Sequence, residues 1–197
     1  MKAHAKSLSI VIYLGRNVKE YDEQSTKIIN KHLQDGSIRC EKCLGPMQRH
    51  SSYDRGIKET GQKVEITVVW CSKCRKWRSL LPDFLLPNKH YSGNEVEGVV
   101  IDSADTEAKL IETAASESTV RRWIKEVGVR IRYAVGILKY CFRRMGVGIS
   151  EASIDAGPAY SELEQILPLA PKELKCCGNK LGLANMWLGV SGIKMQL

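Results

Sequence analysis

No run of eighteen or more apolar residues occurs in the chain, which excludes a membrane-crossing helix. The N-terminal stretch SLSIVIYLG is apolar but short, lacks a small-residue cleavage site and runs into charged residues. It reads as a strand over residues 7–14 and not as a signal peptide. The outlines of catalysis are missing too. There is no Gly-rich phosphate loop and no Ser–His arrangement, and His4, His32, His50 and His90 are scattered without ligand spacing. Asp155, Glu162, Glu164 and Glu173 lie too close together in sequence to be assigned to a two-metal site. No internal repeat or low-complexity tract appears. The chain is therefore expected to be a non-enzymatic protein without a membrane partner.

What is present begins with charge. The 197 residues, enough for one sizeable domain or two small ones, are 43% hydrophobic and 26% charged, a globular composition with a net charge of +8. Residues 39–90 carry net +6, residues 91–127 net −4, and residues 128–145 hold five basic residues and no acidic one. Two basic blocks flanking an acidic one point to a polyanionic partner, most commonly nucleic acid; solvated surface charge is the alternative.

Seven cysteines are an odd number, and four fall in two C-x-x-C pairs, Cys40/Cys43 and Cys71/Cys74, with twenty-seven residues between them. Without an export signal this favours metal binding in a reducing cytoplasm over disulfides. Between the pairs, Val64, Ile66, Val68 and Trp70 alternate as in a strand, and Gly56 and Gly61 bracket a turn. MQRHSSYDR and KVEITVVW should therefore form a hairpin that brings the second pair beside the first. The result is a zinc ribbon with a closed, structural four-thiolate site. Iron would accept the same ligands, and spacing does not separate the two. A redox pair would need a βαβ context, which is absent. Cys141 reads as core, and the adjacent Cys176 and Cys177 are poorly placed for joint chelation.

Around the ribbon the periodicity becomes helical. DEQSTKIINKHLQDG reads as a helix closing at Gly36, SLLPDFLLPNKHYS as an extended, Pro-bounded connector, and NEVEGVVI and TEAKLIETA as short helices. LIETAASESTVRRWIKEV has the layout of a helix-turn-helix, its second helix capped by Ser116, with Val120 and Ile124 facing the core and Trp123 against the scaffold. Glu117, Ser118 and Thr119 would reach base edges, and Arg121, Arg122 and Lys125 would reach phosphates. A separate basic helix follows over RIRYAVGILKYCFRRMG, with Ala134, Ile137, Leu138, Cys141, Phe142 and Met145 inward and Arg132, Lys139 and Arg143 outward. Arg75, Lys76 and Arg78, just past the second cysteine pair, are further candidates for backbone contacts. A helix over AYSELEQILPLA and an apolar end, GLANMWLGVSGIKMQL, complete the chain.

The expected class is α+β: a small zinc-ribbon hairpin unit followed by an all-helical region. The divisions fall at 1–37 (strand and helix), 38–90 (ribbon and connector), 91–146 (helix-turn-helix and basic helix) and 147–197 (an extension of unassigned role). The order of ribbon, LLPDFLLP connector and STVRRWIKEV resembles the N-terminal DNA-binding regions of bacterial insertion-sequence transposases, and an uncharacterised bacterial family sharing that ribbon and connector. The resemblance spans roughly residues 38–127 and rests on the four cysteines, Leu81-Pro82, Phe84 to Pro87, Thr119, Val120, Arg121 and Trp123. It implies double-stranded DNA as partner. It does not extend to catalysis, because only about seventy residues remain, too few for a typical catalytic domain. The expected role is a mobile-element or regulatory DNA-binding protein with structural Zn2+, in the cytoplasm or on the nucleoid. The alternatives are a docking adaptor for a transposition or regulatory protein, and a remnant or subunit of a transposase.

Overall fold

The computed structural model describes residues 9–103, 112–149, 159–176, 178–190 and 197. Two layers meet in it, a four-stranded sheet carrying the cysteine pairs and a bundle of helices. The expected α+β class is seen in this form.

The hairpin forms as β2 (Gln48–Gly56) and β3 (Lys63–Cys71), paired antiparallel with a bulge between Arg49 and Ser51. The chain reverses after Cys71 into β4 (Lys76–Pro82), which first pairs with β3 and then, from Leu80 to Pro82, runs parallel to β1 (Ile10–Ile12). The sheet order is β1-β4-β3-β2. Leu80-Leu81-Pro82, expected as connector, is thus strand. Leu80 and Leu81 are fully buried, and a strand covered on both faces reads as a continuous apolar run without alternation. Pro82 lies at the strand's last position, where a missing N–H costs least.

Helix α1 (Val18–Gln34) covers one face of the sheet. Asn17 caps it, accepting from the Glu20 amide at 3.0 Å, so the helix begins earlier than the expected segment. Tyr21, Ser25 and Ile29 form its buried stripe, and the Tyr21 hydroxyl donates to the Glu65 carbonyl at 2.6 Å. Gly36 takes the left-handed conformation after the last turn (φ +68), as a helix-closing glycine should.

The helical layer contains α2 (Gly93–Asp102), α3 (Glu117–Arg144), α4 (Ala159–Ile166), a short 3-10 turn (Leu167–Leu169) and α5 (Lys180–Val190). The two helices expected around Ser116–Val127 and Arg130–Met145 are one, 28 residues long. Its buried residues Val120, Trp123, Val127, Ile131, Ala134, Leu138 and Phe142 keep the three–four spacing straight through Gly128. That continuous burial outweighs the roughly 1 kcal/mol a mid-helix glycine costs. Trp123 meets Tyr91 edge-on at 4.9 Å, which leaves Ile124 37% exposed instead of in the core. Met145, also expected inward, is exposed, while Ile137 and Cys141 are half-buried. The first six residues of TEAKLIETA, the first half of the expected helix-turn-helix, lie outside the described residues; Glu112 to Ser116 is non-helical.

Helix α5 ties the layers together. Leu181, Ala184 and Trp187 join the helical core, with Trp187 edge-on to Phe142 at 5.0 Å, while Met186 packs into the sheet-side cluster. Polar joints fix its start. Asn179 accepts from the Gly182 amide at 2.9 Å and donates to the Asp83 carbonyl at 3.0 Å. Buried Glu97 of α2 accepts from the Leu181 amide at 2.9 Å and the Tyr160 hydroxyl at 2.8 Å. A Cβ on Gly182 would run into the Asp83 carbonyl oxygen, a backbone atom that cannot swing away. Gly182→Ala is therefore expected to destabilise the protein by about 1–3 kcal/mol, measured as a lowered urea midpoint with unchanged slope.

Candidate functional site

Each cysteine pair sits in a tight turn whose backbone is held by its own hydrogen bonds. In the first, the Cys40 amide donates to the Gly45 carbonyl at 2.9 Å and the Leu44 amide to the Cys40 carbonyl at 2.8 Å. In the second, Cys71 closes β3 opposite Lys76, and the Cys74 amide points at the Cys71 sulfur at 3.4 Å. The residue after each second cysteine is left-handed: Leu44 at φ +56 and Arg75 at φ +51.

These turns face one another. The sulfurs of Cys40, Cys43, Cys71 and Cys74 all lie within 4.8 Å of one another, and Cys43 and Cys71 are 3.6 Å apart. A tetrahedral ion with metal–sulfur bonds near 2.3 Å requires sulfur–sulfur edges of about 3.8 Å, so the donor set fits one ion. Cys40 and Cys71 are buried, and Cys43 and Cys74 are partly exposed.

The thiols compete for charge. Burial opposes ionisation of Cys40, yet the Cys43 and Lys42 amides and the neighbouring thiols bring it down to about 7. Sharing a hydrogen bond with Cys43, and burial, push Cys74 up to about 12. At Cys71 the Cys74 amide favours the thiolate, but burial and the Cys43 and Cys40 thiols outweigh it and raise the value. Four thiolates repel one another at these distances; a divalent ion held there would offset the repulsion and release protons on binding.

The basic residues beside this centre divide. Arg78 is buried, its guanidinium bound to the Glu41 carboxylate and to the Trp77 carbonyl, so it staples β4 to the first cysteine turn. Arg75 and Lys76 are exposed. Holding a non-glycine residue left-handed costs energy, so Arg75→Gly is expected to raise stability by up to about 1 kcal/mol in a thermal melt. If Arg75 contacts a phosphate, the same variant should weaken DNA binding while stabilising the fold.

The second candidate surface is the outward side of α3. Arg121, Lys125, Arg132, Lys139 and Arg143 recur at spacings of four and seven, which places them along one side of the helix. Arg121, Arg122, Lys125, Glu126, Val129 and Arg130 line an open groove of about 630 Å³. Not all these cations are equally available. Arg121 pairs with Glu117 at 2.5 Å, Lys139 approaches Glu162 at 4.0 Å, and Arg143 donates to the Ile149 carbonyl at 3.4 Å. Glu126 is held below the usual carboxylate range mainly by its hydrogen bond to Lys89. Ser118 and Thr119 place their hydroxyls 3.2 and 3.0 Å from that of Ser116, which makes no side-chain cap bond of its own. Arg130 and Arg144 are exposed and basic yet were not singled out from the sequence; they stand off that line, and the basic block over 128–145 was the signal available for them.

The cysteine centre and the helix face stand about a ribbon's length of chain apart in sequence, bridged by the connector and α2. No curated protein and no solved structure matches the chain. Residues 40–123, from the first cysteine of the cluster to the buried tryptophan of α3, match the family model described as a domain of unknown function (DUF6431).

Proposed function

We propose that this chain is a zinc-stabilised, non-catalytic protein that binds double-stranded DNA through the outward face of α3. The observation that carries the proposal is the line of cations along one side of an uninterrupted 28-residue helix. Such a helix is about 42 Å long, more than one turn of duplex. Its N-terminal residues Glu117, Ser118 and Thr119 can approach base edges while Arg121, Arg122 and Lys125 reach phosphates, and Arg132, Lys139 and Arg143 extend the basic line. Arg75 and Lys76 on the ribbon add cations of their own.

Zinc is the ion assigned because four thiolates suit it and a closed tetrahedral shell makes the site structural, leaving no position for water or substrate. The resemblance to the DNA-binding regions of insertion-sequence transposases supports a mobile-element or regulatory role. An electrophoretic shift with metal-loaded protein and random duplex tests the proposal: retardation at low salt is expected, and none at any protein concentration would overturn it.

A docking role for a transposition or regulatory protein is favoured by one feature, the exposed Val129, Tyr133 and Tyr140 at helical spacing beside the basic line. A partner bound equally well after Tyr133→Ser and Tyr140→Ser would remove that support.

A further inference from the structure

The sheet has a second face that α1 does not cover. Trp70 of β3 and Trp77 of β4 are cross-strand partners with ring centroids 4.6 Å apart. The bulge in β2 turns His50 onto the same side, 6.1 Å from Trp70 and 6.2 Å from Trp77. Tyr53 continues the row, its hydroxyl 3.3 Å from that of Ser79. Trp77 is 46% exposed and Tyr53 44%, so two large aromatic surfaces face solvent.

Strand alternation and register assign Gln48, Ser51, Tyr53, Val68, Trp70, Trp77 and Ser79 to the open end of this face, with no carboxylate among them, while Arg55, Val64, Ile66 and Leu81 farther along it are buried. At its end the second cysteine turn presents exposed Lys73 and Arg75, and no described carboxylate forms an ion pair with either. Flat aromatic surface bordered by cations and lacking anions is complementary to unpaired bases on a phosphate chain; it is a poor match for an acidic peptide, which offers nothing to stack.

We infer that the His50–Trp70–Trp77–Tyr53 row is a stacking platform for a single-stranded nucleic-acid segment, with Lys73 and Arg75 at its phosphates. The inference shares with the proposed function the class of ligand and the cation Arg75. The site is different, and duplex, whose bases are already stacked, should not use it.

Intrinsic fluorescence reads this site selectively. The other two tryptophans, Trp123 and Trp187, are each 1% exposed, so quenching by an added oligonucleotide reports on Trp70 and Trp77. Titrating the metal-loaded full chain with oligo(dT) at low salt is expected to quench. Trp77→Ala should weaken oligo(dT) binding about tenfold or more, and Trp77→Phe should retain most of it, while both leave duplex binding within about twofold. Bound metal and the thermal midpoint of each variant check folding. Absence of quenching, or oligo(dT) affinity unchanged in Trp77→Ala, would overturn the platform. So would equal losses for single strand and duplex in both variants, which would make the row a structural cross-strand packing only. If oligo(dT) binds as expected and duplex does not, the platform stands and the α3 proposal falls.

Discussion

Cys71→Ser is expected to abolish metal binding and to lower the melting temperature by about 10 °C or more. Cys71 is the cysteine on which the two turns converge: it ends β3, its sulfur lies 3.6 Å from that of Cys43, and it receives the Cys74 amide. A serine hydroxyl does not ionise at neutral pH and is a poor ligand for a thiophilic ion, so one vertex is lost. Structural zinc in small modules contributes about 10–16 kcal/mol of apparent binding energy. Here Val69, Leu80 and Leu81 give the sheet an independent apolar core, so only part of that should appear as lost stability. A loss of about 3 kcal/mol or more corresponds to the expected shift for a chain of this length. Elemental analysis of the purified variant should find metal near background, against one equivalent in the wild type. Cys141→Ser is the control. Its thiol sits on half-buried α3 surface outside the cluster and should leave the metal content unchanged.

The second large effect is expected on the opposite layer. Reversing two charges together, Arg122→Glu with Lys125→Glu, should weaken duplex binding by about a hundredfold or more at low salt. Both side chains are exposed, line the groove on α3 and form no ion pair with a described carboxylate, so the loss should come without unfolding. The melting temperature is expected to move little, as for ordinary surface substitutions. Arg121→Glu alone should cost less, because Glu117 already offsets part of that charge. By the same logic Glu117→Gln should modestly strengthen binding by releasing Arg121. Fluorescence anisotropy with one labelled duplex measures all four proteins. A double reversal that binds like the wild type would move the DNA surface off α3.

Some of this architecture was legible in the chain because it depends on residue identity at short range. Two C-x-x-C pairs and an intervening alternation specify a four-sulfur cluster almost regardless of what surrounds it. Gly36 marks the end of α1 for an equally local reason, its left-handed backbone. Features that depend on partners distant in sequence were hidden. Leu80-Leu81-Pro82 has no alternation because both faces of that strand are buried, packed with residues as far away in sequence as Val11 and Met186. SESTVRRWIKEV and RIRYAVGILKYCFRRMG read as two helices, whereas an unbroken apolar stripe against α2, α4 and α5 holds one. Ile124 and Trp123 are adjacent and both apolar, and the stripe that runs on through Val127, Ile131 and Ala134 once the helix is continuous takes Trp123 and leaves Ile124 out.

The outward faces were harder still. Charge count nominated Arg78 beside Arg75 and Lys76, but Glu41, in the other cysteine turn, binds its guanidinium and holds it inward. The joints at Glu97 and Asn179 have partners 84 and 96 residues away. No local pattern announces them, and they are what position α5 to join the layers. The region left as an apolar end of unassigned role thus contributes a helix to both hydrophobic clusters.

The measurement that bears most directly on the account is the salt dependence of duplex affinity for the metal-loaded chain. If α3 grips phosphates with the cations along its outward side, the logarithm of the association constant should fall linearly with the logarithm of salt concentration, at a slope near −0.9 for each phosphate contacted. The double reversal should make that slope shallower by about two. Affinity that does not change with salt, or no duplex binding at the lowest salt with the metal in place, would contradict it.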